Sequence, residues 1–159
     1  MAGVIQYGNE KYYIRMDSFV KSPMALRSET RTESGGVAST RRITFNQGNW
    51  AKFNLQMPKN CSFVDVERCQ GVEEFLQNTG LAKPLLINGN EVVRNVNDKW
   101  YPLYKFNEDM LKQLDPGGYM RYSQKYDKQL EIEALRYGMA SQRMNFPDTG
   151  KVEIDCHQL

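Results

Sequence analysis

The stretch Leu26 to Phe45, LRSETRTESGGVASTRRITF, restricts the fold more than any other. It reads as two extended runs joined at Gly35-Gly36, and a two-residue turn there sets the pairing. Ser34 then faces Val37, Glu29 faces Arg42 and Leu26 faces Phe45. Successive strand side chains point to opposite sides. One face therefore carries Leu26, Ser28, Thr30 and Thr32 against Phe45, Ile43, Arg41 and Ser39. The other carries Arg27, Glu29, Arg31 and Glu33 against Thr44, Arg42, Thr40 and Ala38. The base is apolar on one face only, and the outer half is polar on both. A ribbon of that kind projects from its domain or lies on something polar, so the core has to come from the rest of the chain.

The rest is sufficient for one. The chain has 159 residues, 40% hydrophobic and 25% charged, which suits a single domain spanning 1–159. Val4–Tyr7 and Tyr12–Met16 form an opening hairpin around Gly8-Asn9. Strands are expected over Trp50–Met57 and Ser62–Glu67, and a short helix over Gly71–Gly80 with Gly80 as its stop. Asn88-Gly89 between two apolar runs is a type I′ hairpin signal over Leu85–Val93. Asn107 caps one helix, and Asp115-Pro116 opens a longer one running to about Met144, which Gly138 could divide. Val152–Cys156 reads as a last strand. The expected class is α+β: a mostly antiparallel sheet, a projecting polar β-hairpin over 26–45, and two or three helices with the longest in the C-terminal third.

A net charge of +2 does not announce a nucleic-acid binder, so any basic patch is local. No apolar run reaches the ~18–20 residues of a membrane span, and the opening MAGVIQYGNEKYYIR lacks the basic-then-apolar order of a secretory leader. The expected address is the cytoplasm, or the host cytoplasm or virion for a viral chain, with no membrane partner and no secretion. Cys61, Cys69 and Cys156 read as free thiols. With His157 they make a nominal zinc set, but no two cysteines have the close spacing of a structural site. His157 is the only histidine and reads as a surface residue, and no phosphate-loop glycine pattern follows a strand. No metal, cofactor or small-molecule ligand is expected.

Asp65, Glu67, Glu73 and Glu74 read as charged surface. Arg15, Ser39-Thr40 and Glu131-Ile132-Glu133 occur in the order arginine, serine–threonine, glutamate–x–glutamate. That order loosely resembles one class of ADP-ribosyltransferase over these few residues, and the resemblance implies NAD-dependent transfer with Glu133 as the catalytic acid. The chain departs from the pattern at Arg41, where the family has serine, and in placing the acid pair within a helix.

Tyrosines cluster at Tyr12-Tyr13, around Trp100, Tyr101 and Tyr104, and at Tyr119, Tyr122 and Tyr126, with Lys99, Lys105, Arg121, Lys125 and Lys128 among them. They suit the rim of a core, a protein interface, or base stacking. The preferred function is a non-catalytic assembly protein, a small structural or adaptor component of a virion or other large particle. It would dock on a protein partner, or on its own copies, through Arg27, Glu29, Arg31, Glu33, Arg41 and Arg42, where mixed charge sets orientation. The alternative is nucleic-acid binding by the same arginines and the tyrosine–lysine helix. Reversing the charge of Arg31 and Arg41 is expected to leave folding nearly intact while weakening association.

Overall fold

The computed structural model describes residues 3–17, 24–45 and 58–144; for Glu133 and residues 136–144 it describes the backbone alone. The expected strands Trp50–Met57 and Val152–Cys156, and the Cys156-His157 pair, lie outside the described residues.

Strands β1 (Val4–Tyr7), β2 (Glu10–Asp17), β3 (Ala25–Arg31) and β4 (Val37–Arg42) form an antiparallel meander in that order. The chain continues through β5 (Cys61–Phe63), α1 (Val72–Thr79), β6 (Ala82–Pro84), and a small hairpin of β7 (Leu86–Ile87) and β8 (Asn90–Glu91). Strands β9 (Val93–Val96) and β10 (Lys99–Phe106) follow, then α2 (Glu108–Leu114) and α3 (Pro116–Met144). In the second sheet β10 is central, paired antiparallel with β5, β6 and β9. The fold is α+β, mostly antiparallel, with its longest helix in the C-terminal third.

Local backbone demands account for many of the boundaries. Asn88 and Gly89 both have positive φ, 53° and 79°, as the type I′ turn requires. Gly80 ends α1 at φ 76°, and Val72, Phe75 and Leu76 are the face that α1 buries. Asn107 Oδ1 accepts the Met110 amide at 3.1 Å and caps α2. Pro116 occupies the first position of α3, which runs unbroken through Gly138.

One core joins the inner face of the first sheet to the helices. Ile5, Ile14, Met16, Leu26 and Ile43 meet Phe75 and Leu76 of α1, Leu111 of α2, and Tyr119 and Tyr122 of α3. A smaller cluster of Cys61, Phe63, Tyr101 and Leu103 lies on the second sheet, with Phe45 stacked 3.9 Å from the Tyr101 ring. Residues 43–45 lace the sheets together: the Phe45 amide donates to the Phe63 carbonyl and the Asp65 amide to the Ile43 carbonyl, both at 2.8 Å. The fully buried Thr44 turns its hydroxyl back to accept the Leu26 amide at 3.0 Å.

The helical tyrosines belong to the core. The Asn60 amide donates to the Tyr122 hydroxyl at 2.7 Å, and the Tyr119 hydroxyl shares its one proton between Glu108 Oε1 at 2.9 Å and Asn60 Oδ1 at 3.1 Å. Their rings therefore do not form a stacking platform for bases. Asn60 itself sits at φ 65°, held by those bonds and by the Phe106 amide on its carbonyl. Tyr122→Phe strands the Asn60 amide, so a loss of about 1–3 kcal/mol is expected in urea unfolding.

Burial keeps these phenols protonated. Tyr119 is pushed up to about 12, first by burial and then by its bond to Glu108, and Tyr104 and Tyr122 are also raised, chiefly by burial. In the unfolded chain they ionise near pH 10. The folded pKa lies above the unfolded one, so their contribution is intact below pH 10 and lost as pH rises through 12. Tyrosinate absorbance and far-UV circular dichroism should therefore change together across that window; ionisation of all nine tyrosines near pH 10 with the fold retained would contradict it.

Two strand expectations are corrected. The Ser62–Glu67 run is a strand only at its start, because Asp65 leaves the ladder and accepts the Arg68 amide in a turn. Strand β10, read from sequence only as an aromatic cluster, spreads Trp100, Tyr101 and Tyr104 over solvent, the small cluster and the main core.

Candidate functional site

The Leu26–Phe45 hairpin forms, with two differences from its expected geometry. Its turn is longer, so Arg27 faces Arg42, Ser28 faces Arg41 and Thr30 faces Ser39. Of the central glycines only Gly35 has positive φ, 91°, which rules out the two-residue type I′ turn. Thr32 closes the wider loop: its amide donates to the Gly36 carbonyl at 2.7 Å and its hydroxyl accepts the Gly36 amide at 3.1 Å. A shift of two residues leaves the side chains from Arg27 to Thr30, and from Ser39 to Arg42, on their expected faces, and an irregularity after Thr30 then sets Arg31 opposite Val37.

The second difference is that the ribbon is not free-standing. β3 pairs along its other edge with β2, from Asp17↔Ala25 to Tyr13↔Glu29, so only the tip beyond Glu29 runs past that pairing. Ser28 and Glu29, expected in a solvated ribbon, are both 8% exposed.

On the outer face, Arg27, Glu29 and Arg31 stand in a row along β3. Glu29 accepts Arg27 Nε at 3.2 Å and an Arg31 Nη at 3.0 Å, and Arg27 also pairs with Asp17. Arg31 lies 4.9 Å over the Tyr13 ring and donates to the Gly35 carbonyl. These three predicted docking residues thus have partners inside the chain. Arg42, opposite Arg27, and Glu33 in the turn are exposed. Arg41 projects from the inner face, beside the Cys69 thiol on the approach to α1.

The whole of β4 is exposed, and it is the edge of its sheet. The Ile43 amide donates to the Leu26 carbonyl at 2.8 Å. Hydrogen-bonding direction alternates along an antiparallel ladder, so Arg41 and Ser39 turn their amides towards β3, while Thr40 and Arg42 turn theirs outward. Such an edge is a template for a further strand.

Other candidate sets are not brought together. Arg15 and Ser39 leave opposite faces of the sheet with β3 between them, and Glu131 is exposed within α3. Cys61 and Cys69 belong to different apolar clusters, and burial pushes the Cys61 thiol up to about 11. Among the described residues no group of His, Cys, Asp and Glu has metal-binding geometry, and no helix is long and apolar enough to cross a membrane.

An exposed sheet edge thus lies beside a charged face on an α+β scaffold. No family model, curated protein or solved structure matches the chain.

Proposed function

We propose that this chain is a non-catalytic binding protein that joins a larger particle, as a virion component or comparable adaptor does. In this reading β4 takes an extended, acidic segment of a protein partner as an additional strand. The observation that carries it is an edge strand exposed at every residue, with Arg41 and Arg42 at its end. Main-chain bonds would give such a complex its affinity and the arginines its preference for acid. Those like charges also oppose pairing of β4 with its own copy. The internal pairing of Arg27 and Arg31 with Glu29 leaves alternating charge on the outer face, which suits protein more than phosphate.

Thr40→Pro tests this reading. It removes an outward amide without touching the ladder, and proline is tolerated at such edge positions. With a photo-cross-linking side chain at Ala38 in source cells, one defined protein adduct is expected, lost when Thr40→Pro is added while the thermal midpoint stays within a few degrees. Equal cross-linking with and without Thr40→Pro would count against β4 as the docking edge.

A second reading has an observation of its own: Lys11, Arg15, Arg27, Arg31 and Arg42 share the outer face, and among the described strand residues there Asp17 and Glu29 are the acids opposing them. Nucleic-acid binding there would weaken steeply with salt and tolerate changes of sequence. Absence of binding to duplex and single strand at low salt removes it.

A further inference from the structure

Between the inner face of the first sheet and the start of α1 lies a cavity of about 230 Å³. Tyr7, Tyr12, Ile43, Val72 and Phe75 supply its apolar walls. Ser28, Arg41 and Cys69 bring polar groups to it, and Gln70 and Glu74 stand at its rim.

Ser28 is 8% exposed, opposite Ile14 on the face that builds the core. Among the described residues its hydroxyl has no hydrogen-bond partner. The residue lines the cavity, so a bound polar group can reach its hydroxyl. Arg41 makes no ion pair with a carboxylate among the described residues, although its side chain reaches Cys69. The N-cap of α1 is Gly71, left-handed at φ 77°, with no side chain capping the first turn, where the Val72 amide already donates to the Cys69 carbonyl at 3.2 Å. The positive end of that helix therefore opens on the same space. Glu73 is engaged elsewhere, accepting the Tyr104 hydroxyl at 2.7 Å, whereas Glu74 lines the rim.

We propose that this cavity binds a small monoanionic carboxylate with a flat apolar body. Arg41 and the first turn of α1 take the carboxylate, the Ser28 hydroxyl donates to it, and the apolar body lies against Tyr12 and Phe75. The Glu74 charge at the rim sets the preference for one negative charge over two. This departs from the absence of any small-molecule ligand expected from sequence. The site lies on the inner face and shares only Arg41 with β4, and Thr40→Pro, which removes an outward amide, leaves it unchanged.

The test titrates the full chain with phenylacetate, its neutral isostere phenylacetamide, and phenyl phosphate, following backbone amide resonances. Phenylacetate is expected to shift Gly71, Val72 and Arg41 saturably, with phenylacetamide and phenyl phosphate each at least tenfold weaker. Arg41→Gln, an exposed position, should weaken phenylacetate tenfold or more with unfolding unchanged. Ser28→Ala should weaken it several-fold while leaving the free protein as stable as before or more so. No saturable binding of phenylacetate, equal binding of the amide, tighter binding of the phosphate, or indifference to Arg41→Gln would each overturn the assignment. So would a marked loss of stability in Ser28→Ala, which would give the hydroxyl a structural partner.

Discussion

Gly118→Ala is expected to destabilise the protein by about 2–4 kcal/mol, although alanine in place of glycine within a helix normally stabilises by about 1 kcal/mol. The reason is the Asp115 carboxylate. One oxygen accepts the Gly118 amide at 3.1 Å and starts α3; the other accepts the Met16 amide at 3.0 Å. The Met16 bond falls where the first sheet has run out of strand. The Ile14 amide still reaches the carbonyl of Gly3, the first residue described, and at Met16 the Asp115 carboxylate is the acceptor. A Cβ on Gly118 would lie on Asp115 Oδ2, 2.8 Å from its Cγ and 2.9 Å from Met16 Cβ. Both charge-assisted bonds would have to move. Gly117→Ala is the control, since its Cβ meets only the flexible end of Arg121 at 3.4 Å. That change should be neutral or stabilise by up to about 1 kcal/mol. Equal midpoints for the two variants in urea would show that the Asp115 clasp contributes little.

Arg31→Glu is expected to lose about 2–4 kcal/mol in the same assay, and Arg41→Glu to stay within about 0.5 kcal/mol of the parent. Reversal at Arg31 sets a second carboxylate against Glu29, whose side chain is 9% exposed, and removes the cation over Tyr13. Arg27 remains to compensate in part. Arg41 stands on an exposed strand with no carboxylate partner among the described residues. The two reversals, treated alike from sequence, are therefore expected to differ: only Arg41→Glu should spare the fold. Matching losses at the two positions would mean that the Arg27–Glu29–Arg31 row does not support the sheet.

What could be read in advance was local. Gly80, Asn88-Gly89, Asn107 and Asp115-Pro116 each mark a backbone demand that a few neighbouring residues satisfy, and each sits where expected. The hairpin faces were also legible, because a register error of two residues preserves the side on which each residue points. Partnerships across the chain were not. Nothing in β3 alone says that its second edge belongs to β2, which turns Glu29 from a surface charge into a clamped one. Pro102 sits inside the central strand, where proline usually argues against one. It is tolerated here because its carbonyl, which needs no N–H, serves the Val64 amide at 2.9 Å. The Asn97-Asp98 turn, both residues at positive φ, was the missed signal for β9 and β10. The cavity draws Ser28, Arg41 and Cys69 from separate segments, and no spacing in the sequence announces it.

The Asp115 clasp also has a consequence for the order of events during synthesis. Met16 leaves the ribosome 99 residues before its side-chain partner. At 5–20 residues per second that is a wait of about 5–20 s. For most of it, once β3 and β4 have followed, the first sheet has all its strands, yet it lacks the α2 and α3 side chains that cover its inner face. The nascent meander thus spends seconds as an open apolar surface with a bare edge. This is the interval in which a chaperone, or an assembly partner acting during translation, would have most to bind.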